Sequence, residues 1–124
     1  MMKGGLTVDE SFKLIVTIVN KGKASKVVGA SKRAGAEGGT ILFGRGTAKR
    51  SFLDFLGINF APEKEIILTL VKEDKVKDVL QAITDEVKLN KPGNGIGFVI
   101  NIKELLGVIH LLKNAGGNLN DRGL

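Results

Sequence analysis

The chain has 124 residues and a formal net charge of +6, a length that fits one domain. Hydrophobic residues make up 43% of it, enough to build a core and to exclude a wholly disordered chain. Cysteine is absent, which excludes disulfides, thiolate catalysis and Cys-based zinc sites. No stretch approaches the roughly 20 apolar residues that span a bilayer, and residues 1–10 lack the apolar core of a signal peptide. We therefore expect a cytoplasmic protein that is not inserted into a membrane.

The basic charge raises the question of a nucleic-acid partner. The chain has no Trp or Tyr, and its six Phe residues are not interleaved with a basic stripe, as an RNA-stacking surface requires. We predict no nucleic-acid binding, because a basic pocket for a small anionic ligand explains the charge as well.

The first half of the chain reads as strand, helix, strand. Residues 13–19 (KLIVTIV) form a β-branched run that ends at the turn signal of residues 20–22. Apolar residues then recur at steps of three and four from Lys23, which predicts a helix, and Gly35 is placed to end it. A second strand is predicted around residues 40–43.

The connection at residues 47–62 is long for a compact domain, and such loops are usually functional or partly folded. It carries basic and large apolar side chains together, which indicates either a short folded-back helix or a surface that docks to a partner protein. The predicted docking residues are Lys49, Arg50, Phe52 and Phe55.

The second half repeats the pattern. A strand is predicted at residues 65–71, and an amphipathic helix follows, with apolar residues at 76, 79, 80, 83 and 87. The breaker cluster at residues 90–95 leads into a fourth strand at residues 97–102. Periodicity does not decide whether residues 103–113 form a helix or a further strand.

This order predicts an α+β, ferredoxin-like βαββαβ domain, an antiparallel sheet with two helices on one face. We expect a flexible lead-in at residues 1–11, the domain at 12–113 and a flexible tail at 114–124. The predicted strands are too apolar to leave the other sheet face in water, so we expect an obligate oligomer.

Two glycine-containing segments are the candidate binding sites. The run Gly44-Arg45-Gly46-Thr47 at a strand end can form a backbone concavity for an anion, or serve only as a glycine-eased loop entrance. It is no Walker A motif, because the final Gly-Lys-Ser/Thr is missing. The run Gly93-Asn94-Gly95 is either a second wall of that cleft, where missing side chains admit a ligand, or a turn into the fourth strand.

Catalysis and metal binding find little support. His110 is the only histidine and lies among apolar residues, where a structural role is the more common one. The carboxylate pairs at 73–74 and 85–86 belong to the second helix, at its N-terminus and on its solvent face. No serine has an evident base partner. We predict that the protein is not an enzyme and holds no metal within one subunit.

Three segments taken together resemble the PII nitrogen regulatory proteins. Gly38-Gly39-Thr40-Ile41 leading to Gly46 resembles the entry to the family's T-loop. Pro62, followed by a charged pair and EIILTLV-KED, resembles the loop end, the third strand and the start of the second helix. Residues 92–99 (PGNGIGFV) resemble the second signature, so the resemblance covers about residues 12–113.

The resemblance implies a homotrimer whose sheets line a central barrel and whose T-loops reach partner proteins. It also implies adenine nucleotides, often with 2-oxoglutarate, bound between subunits, with no cofactor required. The ligand-binding residues predicted here are Thr40, Gly44, Arg45, Gly46, Thr47, Gly93, Asn94 and Gly95.

The chain departs from the family at cationic positions. Ile96 stands where the family has a phosphate-binding lysine, and Gly107 and Ile109 stand where it has two arginines; Asn94 replaces an aspartate. The loop is shorter, and without Tyr it cannot be uridylylated on tyrosine. The sequence thus predicts a divergent PII-like sensor of a small anion, with a transporter, enzyme or regulator as its partner. The alternatives are a CutA-like trimer involved in metal tolerance and a small enzyme on the same fold.

Overall fold

The computed structural model describes residues 11–47, Leu56 and residues 62–107. It has the predicted element order βαββαβ. Each strand extends one or two residues beyond its predicted bounds, except that β4 ends one residue earlier than predicted. The elements are β1 (Phe12–Asn20), α1 (Ala24–Arg33), β2 (Gly39–Arg45), β3 (Glu63–Lys72), a 3-10 turn (Glu73–Lys75), α2 (Val76–Val87) and β4 (Gly95–Asn101).

The four strands form one sheet in the order β2-β3-β1-β4, and every neighbouring pair is antiparallel. β1 and β3 are therefore central, and β2 and β4 are the two edges. Val16 of β1 lies opposite Leu68 of β3 on one side and Phe98 of β4 on the other, which fixes the register across the centre of the sheet. Because side chains alternate along a strand, this register sorts every residue onto one of two faces.

One face of the sheet packs against both helices and forms the main core. Ile15, Val19 and Ile67 of the sheet are buried together with Val27 of α1 and Ile83 of α2. The predicted helical periodicities are confirmed, since the buried residues of each helix recur at its three- and four-residue steps. Thr17 and Thr69 also lie on this face, fully buried, and their hydroxyls have no hydrogen-bond partner.

After the last turn of each helix, the backbone of one residue takes a positive φ. Gly35 has φ +119° and follows α1 as the sequence predicted, and Lys88 takes φ +56° after α2. The first carboxylate pair, Glu73 and Asp74, lies in the 3-10 turn that leads into α2, close to the predicted helix start. Among the described residues no helix is long and apolar enough to cross a membrane.

The other sheet face carries apolar side chains and no helix; we call it the open face. Its apolar members are alternate residues of all four strands: Phe12, Leu14, Val16, Ile18, Leu42, Ile66, Leu68, Leu70, Ile96, Phe98 and Ile100. Its edges are the most accessible part, with Leu42 46% and Ile96 58% exposed.

The segment after β4 covers one end of the open face. Ile102 and Leu105 pack against Phe12 and Leu70 there. Residues 102–107 form neither helix nor strand, so of the two alternatives for residues 103–113 neither holds for the described part. Residues 1–10 of the lead-in, most of the long connection and the tail lie outside the described residues.

Candidate functional site

The long connection between β2 and β3 leaves and re-enters the sheet at one point. The last residue of β2, Arg45, lies opposite the first residue of β3, Glu63. One residue further out, the backbone N–H of Gly46 donates a 3.1 Å hydrogen bond to the carbonyl oxygen of Pro62. The two ends of the intervening segment are therefore held together by backbone pairing, and we call this point the loop base.

An open cleft of about 390 Å³ lies beside this base. Its lining joins three basic side chains, one carboxylate, one aromatic ring and a glycine: Lys21, Arg45, Lys64, Glu63, Phe43 and Gly44. The cations outnumber the carboxylate, so the cleft attracts anions. We call it the loop-base cleft.

Glu63 holds two of the cations in place. Its Oε1 lies 2.8 Å from Nζ of Lys21, and its Oε2 lies 3.9 Å from a guanidinium nitrogen of Arg45. The hydrogen bond from Lys21 and the attraction of its charge lower the pKa of Glu63, and the same contacts raise the pKa of Lys21. An anion entering the cleft must compete with this carboxylate.

Lys64 connects the cleft to the opposite edge of the sheet. Its Nζ donates a 2.7 Å hydrogen bond to Oδ1 of Asn20, and Nδ2 of Asn20 donates a 3.1 Å bond to the carbonyl oxygen of Gly93. A continuous polar chain thus crosses the end of the sheet and joins the two segments in which the sequence predicted binding residues.

The first predicted segment does reach the cleft. Gly44 and Arg45 line it, Gly46 closes the loop base, and Thr47 is exposed next to it. Thr40 is also exposed but lies on the open face opposite Leu68, four residues or about 13 Å along the strand from Gly44. The predicted docking residues Lys49, Arg50, Phe52 and Phe55 lie outside the described residues.

The second predicted segment lies at the same end of the sheet but at the other edge. β4 is three strand spacings from β2, which is about 14 Å. Asn94 uses its side-chain amide to donate a 3.0 Å bond to the carbonyl oxygen of Lys88. Within one chain, therefore, a small anion cannot contact both glycine segments directly.

Gly95 is required by the packing of the sheet itself. It has φ +139°, and a Cβ there would collide with the carbonyl oxygen of Ile18 and lie 3.1 Å from Cγ1 of Val19. Gly93 has φ +87° but open space around it. Close strand approach accounts for Gly95, and a left-handed turn accounts for Gly93.

Four lining residues escaped the sequence-based prediction: Lys21, Phe43, Glu63 and Lys64. The sequence pattern indicates only a turn at Lys21 and only a strand at Phe43. For Phe43, Glu63 and Lys64 the available signal is the predicted ferredoxin-like topology, which pairs β2 with β3, so that the residues flanking the long connection meet at its base.

The described residues contain no group of three or more His, Asp or Glu side chains that could hold a metal ion. His110 lies outside them. The carboxylates at 85 and 86 are exposed on α2, where Asp85 accepts a bond from Gln81 and Glu86 pairs with Arg33. These contacts give both carboxylates surface roles.

Comparison with known proteins gives one family and one fold. The profile of a family described as nitrogen regulatory protein P-II matches residues 12–109. A search of curated protein sequences gives no match. Among solved structures, the fold is similar to that of Arabidopsis thaliana PII bound to citrate, with a TM-score of 0.61 and 23% identity over 81% of this chain and 82% of that one.

Proposed function

Because the chain belongs to the nitrogen regulatory protein P-II family, whose members are regulators rather than enzymes, we propose that it senses a small anionic effector and passes that signal to a partner protein. The effector binds at the loop-base cleft, and an adenine nucleotide is the effector we expect. The partner docks to the 47–61 loop. The observation that carries the proposal is the cluster of three cationic side chains at the base of that loop.

The cleft supports an anion rather than a neutral ligand. Lys21, Arg45 and Lys64 line it together with a single carboxylate, that of Glu63, and Gly44 lines it without a side chain in the way. Phosphate oxygens accept charge-assisted hydrogen bonds from such groups. In this proposal, the cations of the cleft bind the anion in place of the cationic side chains that the family carries at the positions of Ile96, Gly107 and Ile109.

A trimer is the assembly that we propose. The open face is apolar across all four strands, and monomeric soluble proteins rarely expose so large a contiguous apolar patch. Packing of three open faces removes it from water. Assembly also offers a way to complete the ligand site, since the Gly93–Gly95 segment of a neighbouring subunit can approach a cleft that the chain's own segment, about 14 Å away, does not reach.

Signalling through this site needs only two states of the loop with different affinities for the effector. The loop begins at Gly46 and ends at Pro62, which are hydrogen-bonded to each other beside the cleft. An anion that binds to Arg45 or Lys64 therefore contacts residues beside the two points at which the loop is attached to the sheet.

Calorimetric titration with ATP, ADP and AMP tests the effector. We expect at least one to bind, and an Arg45→Ala variant to bind it more weakly. The absence of heat and of any thermal shift with all three would refute an adenine nucleotide as the effector. Neither the family match nor the described residues favour the CutA-like alternative.

A further inference from the structure

The loop-base cleft combines an exposed aromatic ring with its cations. Phe43 is 78% exposed, the highest value among the large apolar side chains of the described residues. It belongs to the lining of the cleft together with Arg45 and Lys21. Phe43 is not part of the core cluster, to which Ile67 and Val19 on the same sheet face belong.

The strand geometry puts the ring and a cation on the same side. Phe43 and Arg45 are two residues apart in β2, so their side chains leave the strand on one face, about 7 Å apart along it. The register places Phe43 opposite Glu65 and Arg45 opposite Glu63. A ligand lying along this edge meets an aromatic surface first and a cationic one next.

We propose that Phe43 is a stacking platform for the planar base of a nucleotide whose phosphates lie against Lys21, Arg45 and Lys64. This inference rests on the proposed nucleotide effector and adds how its base is recognised. A flat aromatic base stacks on a phenyl ring, whereas phosphates need cations and backbone N–H groups. The same cleft offers both, in the order in which a nucleotide presents them.

The chain provides a direct reporter for this contact. It contains no Trp and no Tyr, so a Phe43→Trp variant of the full chain has a single indole. Stacking of a base on that indole quenches its fluorescence. Leu106→Trp is the matched control, because Leu106 is 75% exposed and follows the end of β4 that lies away from the cleft.

The decisive measurement compares ATP with inorganic tripolyphosphate, which has a similar charge and no base. In the Phe43→Ala variant we expect the affinity for ATP to fall about 5- to 150-fold, the range for loss of one stacked base, while the affinity for tripolyphosphate stays the same. We also expect ATP to quench the indole emission of the Phe43→Trp variant and to leave that of the Leu106→Trp control unchanged. Because Phe43 is so exposed, the Phe43→Ala variant should retain the wild-type circular dichroism.

The outcomes separate the two proposals. If ATP binds Phe43→Ala and the wild-type protein equally well, the stacking platform is refuted and the nucleotide effector stands. An equal loss of ATP and tripolyphosphate binding would also refute it, because the ring would then only shape the cation cluster. If no nucleotide binds the wild-type protein, both proposals fail.

Discussion

The carboxylate of Glu65 in β3 accepts a 2.8 Å hydrogen bond from the backbone N–H of Ala24, the first residue of α1. Glu65 is 8% exposed and comes from a strand 41 residues further along the chain. No side chain within α1 caps its N-terminus. The sheet itself therefore supplies the cap that the helix lacks, and the negative charge lies at the favourable end of the helix dipole.

Removal of this cap should destabilise the protein. We expect Glu65→Ala to lower the free energy of unfolding by about 1–3 kcal/mol, the range for a buried hydrogen bond to a charged group. Glu65→Gln keeps an acceptor oxygen and should restore a large part of the loss. Denaturant unfolding at one fixed protein concentration measures both, and equal losses in the two variants would show that charge, not the hydrogen bond, is what matters.

Glu63 should weaken anion binding, because its carboxylate occupies the cations of the loop-base cleft. We expect Glu63→Gln to raise the affinity for tripolyphosphate about two- to fivefold at low salt, as suits an exposed ion pair, and the gain to shrink as salt is added. Glu73→Gln makes the same charge change at the far end of β3 and is the control. An equal gain in affinity in Glu73→Gln would show that the effect comes from net charge alone and not from the contacts of Glu63.

The Lys21–Glu63 pair also predicts a pH dependence of stability. A lowered pKa in the folded protein means that the contribution of Glu63 is present above its unfolded value, near 4.5, and is lost as the pH falls through the folded value. For Lys21 the raised pKa means that its contribution is present below 10.5 and is lost as the pH rises through the folded value. The difference in Tm between the wild-type protein and Glu63→Gln should thus be constant between about pH 6 and pH 9 and vanish in strong acid. A difference that increases in acid would contradict the assignment.

The two glycines of the β4 entry should respond differently to alanine. Both have positive φ, but only Gly95 lacks room for a Cβ. We expect Gly93→Ala to cost about 1 kcal/mol for the left-handed backbone alone, and Gly95→Ala to cost more than about 3 kcal/mol, because the edge strand must also move away from β1. Thermal unfolding of the two variants measures this order, and similar losses would refute the collision with Ile18.

The open face should drive assembly. Light scattering of the wild-type protein should give about 40 kDa, three times the 13.2 kDa of the chain. Phe98→Asp places a charge on that face in the middle of β4 and should yield monomers. Val99→Asp adds the same charge to the same strand on the opposite face and should leave the trimer intact. A wild-type mass of one chain would refute the trimer.

The sequence by itself determined the elements and their order. The β-branched run of β1 and the apolar spacing of α2 depend only on local periodicity, which is why the predicted and observed elements nearly coincide. The family followed from the order and spacing of three segments, and the match over residues 12–109 confirms it.

Only the tertiary structure decided what surrounds the site. Glu63 and Lys21 meet because β1 and β3 are neighbours in the sheet, and no local pattern specifies which strands pair. The pairing also separates Gly44 from Gly93, which the sequence suggested as walls of one cleft, by the width of the sheet. The chemistry of each side chain can be read from the sequence. Which side chains meet across strands depends on how the whole core is buried, so the set of residues that line the loop-base cleft is visible only in the folded chain.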